Sequence, residues 1–197
     1  RGKKSKAALL QHFQPVLMSW SGGRDLVTLT AVEAAGAPVT LAGDALLCGF
    51  YINELLTRLV HRHDPHPNLY ACYGATLSRL AGSASSGASR DDTERVLRIF
   101  ELHLLREIGY GLPLDREADS GRPVEPDHDY VVDLQRGPVE DTGRAGQELR
   151  VSGRSLLQLA DETLADEQSL RDAKRLMRAA LAQHLGPRPL ASRRLFT

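Results

Sequence analysis

Three histidines and an aspartate fall close together at His61-Arg-His63-Asp64-Pro-His66. These are metal-ligand residue types, and a metal held there could activate water, which would make the chain a metal-dependent hydrolase. Two features weigh against that chemistry. No second ligand pair stands at a matching spacing, and the cluster sits where a helix should end, a place where histidine complements the helix dipole. Cys48 and Cys72 lie far apart in apolar surroundings. That is neither a disulfide framework nor a metal spacing, and an apolar setting suppresses thiol reactivity. Glu54 and Glu101 are acids among apolar neighbours, which points to a satisfied hydrogen bond or ion pair rather than acid–base work. There is no G-x-S-x-G, no phosphate loop and no G-x-G-x-x-G ahead of a helix; Gly109-Tyr-Gly111 follows one instead. The expectation is a protein with no catalytic residue, no cofactor and no metal.

Charge tells more by its distribution than by its total. The 25 basic and 25 acidic residues cancel, yet residues 1–24 hold Arg1, Lys3, Lys4, Lys6 and Arg24 and no acid. The C-terminal stretch 171–197 is basic too, and acids outnumber arginines over 115–150. Basic ends on a neutral chain can still present a positive face to phosphate. Trp20 stands between the basic start and Arg24. Cations beside an exposed aromatic suit single-stranded nucleic acid, the charge following the backbone and the ring stacking on bases. The competing reading is a solvated tail and a core tryptophan. No apolar run is long enough for a membrane span, and the cysteine usage suits a reducing cytoplasm.

The elements that would position these residues can be read from periodicity. Residues 7–13 form a segment too short for an independent helix. Two β-rich runs, Pro15–Trp20 and Asp25–Thr30, flank Gly22-Gly23 and predict a hairpin. Leu41–Val60 is apolar nearly all round, as befits a central helix covered on several sides. A helix over Asn68–Leu80 and a Gly/Ser-rich loop over Ala81–Ser89 follow. Ser89-Arg-Asp-Asp92 matches a capping box for a helix ending at Ile108, where Gly109, Gly111 and Pro113 prevent its return. Residues 113–150 predict irregular structure with one short strand at Tyr130–Val132. A short helix over Ser155–Ala160 and an amphipathic one over Asp166–Leu185 close the pattern, stopped by Gly186-Pro187. A last helical turn is expected over Leu190–Leu195.

Several phrases of this sequence resemble those of the bacterial RecO family. They are Arg1–Ser5, Leu10–Pro15, Gly43 through Gly49-Phe-Tyr-Ile-Asn-Glu-Leu-Leu56, Arg98–Leu102, Leu105–Gly111, Ala173–Met177 and Leu185 through Pro189-Leu-Ala-Ser-Arg-Arg-Leu-Phe196. They run in the family's order over almost the whole chain. The resemblance implies an α+β chain: residues 1–36 as the last hairpin of a partial N-terminal oligonucleotide-binding (OB) barrel, then a mainly α-helical domain over 37–197 carrying the acidic segment. A five-stranded barrel would need about three more strands upstream of Arg1. It also implies a non-enzymatic recombination mediator, cytoplasmic and nucleoid-associated. Such a mediator binds single- and double-stranded DNA, anneals strands and, with RecR, helps RecA replace the single-stranded-DNA-binding protein. The DNA-binding residues expected are Arg1, Lys3, Lys4, Lys6 and Arg24. The helical domain is expected to dock that protein's acidic C-terminal tail, with Arg98 taking the carboxylate beside Leu97, Leu102 and Leu105. Many relatives carry a four-cysteine zinc site; here Glu117 and Ser120 stand in for its first pair, so no zinc is expected.

Overall fold

The computed structural model describes residues 8–23, 27–86, 89–141 and 149–192. The fold is α+β, with two small antiparallel sheets and five α-helices of eight residues or more among the described residues. Strand β1 (Val16–Ser21) pairs with β2 (Thr28–Ala34) from Val16↔Ala34 to Ser21↔Thr28, with a bulge between Ser19 and Trp20. The second strand therefore starts and ends later than the hydrophobic pattern predicts. The hairpin is tied to the helical body through Phe13, whose carbonyl accepts from the Val39 N–H at 3.0 Å. Phe13 also packs against Phe50 of helix α1 (Gly43–Leu59). Gly49 makes that approach possible: a Cβ there would lie 2.7 Å from both the Phe13 ring and Leu41.

Helix α1 is central, as its all-round apolarity predicts, with Ile52 and Leu55 wholly buried. Helix α2 (Pro67–Ser86) runs well past Leu80, so the loop expected over 81–89 is for the most part helix. Buried Leu69, Leu77 and Leu80 fix its packing, and tertiary context overrides the weak propensity of Gly and Ser. Helix α3 (Arg90–Glu107) starts with the predicted capping box: Ser89 Oγ accepts from the Asp92 N–H, and the Asp92 carboxylate accepts from the Ser89 N–H at 3.1 Å. It is buried along most of its length and packs against α2 and α5 (Glu167–Leu185).

The acidic segment is more ordered than its composition suggests. Strands β3 (Asp129–Asp133), β4 (Gly137–Glu140) and β5 (Arg150–Ser152) form a sheet in the order β4-β3-β5. Tyr130, Val132 and Val151 point into the core. Ser152 then caps α4 (Gly153–Ala160), and Gly153 is obligatory because a Cβ would sit 1.9 Å from the Glu125 carbonyl oxygen. Asp166 caps α5, whose buried face is Leu170, Ala173, Leu176, Met177, Ala180 and Leu181. Past Gly186 the chain folds back on α1, where the Glu54 carboxylate accepts from the N–H groups of Ala191 and Ser192, both at 2.8 Å. Of the last turn expected over Leu190–Leu195, Ala191 and Ser192 are helical and residues 193–195 lie outside the described residues.

Candidate functional site

A cleft of about 400 Å³ opens between α1, α3 and α5. Two rows of charge, one on α3 and one on α5, line it. On α3, Arg90, Glu94 and Arg98 follow one another at four-residue spacing and so share a face. On α5, Lys174 and Arg178 do the same. Asp44, Cys48 and Tyr51 of α1, with Thr93 and Leu97, complete the walls.

At the base is a buried polar triad. The Tyr51 hydroxyl donates to Glu101 Oε1 at 2.5 Å, and Arg98 Nη2 lies 2.9 Å from the same oxygen. Arg98 is only 5% exposed and Glu101 is fully buried. Burial pushes the Glu101 carboxyl up from its ordinary value, opposed by the Arg98 charge and the Tyr51 hydrogen bond. Arg98 Nε and Glu101 Oε2 find no hydrogen-bond partner among the described residues, so the triad is incompletely satisfied. Towards the mouth, Lys174 Nζ pairs with Glu94 Oε1 at 2.5 Å. Arg90 and Arg178 make no ion pair with any described residue. Cys48 is no nucleophile here: burial, then the nearby Asp44 charge, push its thiol up to about 11 against the pull of Arg98.

A cleft with four cations, one of them a buried guanidinium, and the apolar surface of Leu97 and Tyr51 is chemically suited to a carboxylate carried on an apolar group. It brings together Leu97 and Arg98 of the residues expected to hold a partner's tail. Leu102 and Leu105 do not line it. They are 1% and 2% exposed and belong to the core, on the side of α3 that is packed against the rest of the body. Arg98 is also buried, and its charge is already matched by Glu101. The sequence reading missed Tyr51, Arg90, Lys174 and Arg178. The four-residue charge rows were the signal available for the cations, but which rows face each other is set by tertiary packing.

The other expected residues distribute as follows. Arg1, Lys3, Lys4, Lys6 and Arg24 lie outside the described residues. Trp20 is 63% exposed on β1. In the histidine cluster, His66 Nε2 lies 3.3 Å from Asp64 Oδ2. Among the described residues, no group of three His, Cys, Asp or Glu side chains is arranged to hold a metal ion, and the hydrolase reading gains no geometric support. Glu117 accepts from Ser120 and pairs with Arg122, which also reaches Glu140 at 3.3 Å. Those contacts, led by the Ser120 hydrogen bond, hold the Glu117 carboxyl below its ordinary range. No helix of the described residues is long and apolar enough to cross a membrane.

Comparison with known proteins bears on this geometry. The family profile described as "Recombination protein O C terminal" matches residues 41–194, the stretch that contains the cleft. The chain is 46% identical to a DNA repair protein RecO from Methylococcus capsulatus, over all of this chain and 77% of that protein. It is 44% identical to a namesake from Aromatoleum aromaticum, over 95% of this chain and 75% of the relative. A third, from Nitrosococcus oceani, is 44% identical over 99% of this chain and 76% of its own length.

Proposed function

The chain belongs to the RecO family of DNA repair proteins, and from that premise we propose that it acts without catalysis, as a recombination mediator that binds DNA at its N-terminal side and an acidic protein tail in its helical body. The hairpin side, with the basic residues 1–6, Arg24 and exposed Trp20, binds single- and double-stranded DNA through charge and stacking. We assign residues 1–36 to that unit and 37–197 to the helical one; the family profile begins at residue 41, just past the hairpin. The cleft takes the C-terminal tail of the single-stranded-DNA-binding protein, and the protein works with RecR to let RecA load on the strand so released.

The observation that carries this reading is the cleft itself: a buried arginine at the base, unpaired arginines at the mouth and apolar walls between them. A terminal carboxylate on an apolar residue fits those features together, whereas bare phosphate would leave Leu97 and Tyr51 unused. Arg178 is the cleanest probe, because it is exposed and makes no ion pair among the described residues. Arg178→Ala should weaken binding of a labelled acidic peptide with an apolar C-terminal residue by about 1.5–3 kcal/mol, the range for charged hydrogen bonds. Fluorescence anisotropy reads this directly. Equal affinity for wild type and variant would remove the cleft from the tail-binding role.

A further inference from the structure

We infer that Glu94 is a built-in competitor for the ligand of the cleft, latching Lys174 across its mouth until an acidic partner displaces it; this rests on the cleft being the site of an acidic tail. The four cations are not equally available. Arg98 is held at the base by Glu101. Lys174 is held by Glu94 in a contact that joins α3 to α5, their side chains 44% and 21% exposed. Arg90 and Arg178 hold no ion pair among the described residues. An incoming carboxylate therefore finds Arg178 and Arg90 free but meets the negative charge of Glu94 and Asp44 on the way.

The Glu94 carboxylate occupies the position that a ligand carboxylate would take on Lys174. A pair this exposed is weak and exchangeable, and a lysine is a compact charge on a flexible stem that can swing to a new partner. A ligand with a single carboxylate can settle on Arg178 or Arg90 and leave the latch shut. One with further acids near its end can take Lys174 from Glu94 as well. The latch thus makes the cleft selective for a tail with several acids over a lone carboxylate, by repulsion as much as by attraction.

The test uses the full chain and two peptides ending in the same apolar residue with a free carboxylate. One carries several aspartates upstream, and the other has them replaced by asparagine. Glu94→Gln should bind the acidic peptide about three- to tenfold more tightly than wild type and gain less for the asparagine peptide. In a Lys174→Gln background the same change should gain little, because no latch remains to open. Equal or weaker binding by Glu94→Gln, or an undiminished gain without Lys174, overturns the latch. If either happens while Arg178→Ala still loses the peptide, the latch alone fails. If no variant and no wild type binds the acidic peptide, the tail-binding reading fails and takes the latch with it.

Discussion

The helical body and the β-hairpin solve opposite problems. In the body, α1, α3 and α5 bury their apolar faces against one another, and Ile52, Leu55, Phe100, Leu104 and Leu176 are wholly enclosed. In the hairpin, Val32 is the one buried residue of both strands, while Leu17 and Trp20 are 67% and 63% exposed. The hairpin joins the body through the Phe13 carbonyl, which accepts from the Val39 N–H. The contrast separates two roles. Side chains in the body are expected to set stability, and those on the hairpin to set what the molecule touches.

The comparison breaks first, if it breaks, at the core. Phe100→Ala removes a wholly buried ring and should cost about 3–5 kcal/mol of stability, whereas Leu17→Ala on the hairpin should stay within about 0.5 kcal/mol. Urea unfolding of both variants tests this, and a large loss from Leu17 would show that the hairpin belongs to the core. Next in size is Arg98→Met, which leaves Glu101 buried without its cation. At neutral pH the expected loss is about 3 kcal/mol, the low end for a broken buried pair, since Glu101 can take up a proton. The sign of its pH dependence follows from that proton. Burial already holds the folded pKa of Glu101 above the unfolded one, near 4.5, and removing Arg98 raises it further. The folded state therefore binds the extra proton. The variant should be closest to wild type below pH 4.5 and fall away from it as pH rises through the folded value. Thermal melts from pH 4 to 8 would show a constant gap if the pair did not matter.

The body was also the more legible region, and the reasons are physical. The capping box at Ser89 and the apolar stripe of α5 are local patterns, and each appears where the sequence placed it. The sheet β4-β3-β5 was not legible beyond β3, because β5 has three residues and pairs with a strand far back in the chain, and β4 opens on Gly137-Pro138, poor strand formers. The site was half visible. Leu97 and Arg98 could be picked out as a cation beside an apolar residue on one helix. That Lys174 and Arg178 face them from α5, or that Leu102 and Leu105 are sealed in the core, depends on how three helices meet. The residues expected to bind DNA were read from charge runs alone, and those positions fall outside the described residues.

On the hairpin side the expected effects concern binding rather than stability. Replacing Arg1, Lys3, Lys4 and Lys6 together with alanine should leave the urea midpoint unchanged. It should flatten the fall of log DNA affinity with log salt concentration by about 3, since each neutralised phosphate releases close to one counterion. A titration of DNA affinity from low to moderate salt reads the slope. An unchanged slope would mean that the basic start is a solvated tail, and the hairpin would lose its claim to be the DNA-facing unit.

The smallest expected change is the sharpest divider between the two regions. Trp20 follows the bulge in β1, and a bulge adds local twist and re-aims the next side chain; here the indole faces solvent. A large aromatic left exposed adds little to folding, so Trp20→Ala should shift stability by no more than about 0.5 kcal/mol. If the ring stacks on a base, the same substitution should cost about 1–3 kcal/mol of single-stranded DNA affinity. Trp20→Phe should recover much of it, because stacking needs a π-face rather than a particular ring. Duplex DNA, whose bases are already stacked, should respond less than single strands. A Trp20→Ala variant that is destabilised, yet binds single strands as tightly as wild type, would reverse the assignment. The ring would then be an anchor of the hairpin, and the binding role would fall to charge alone.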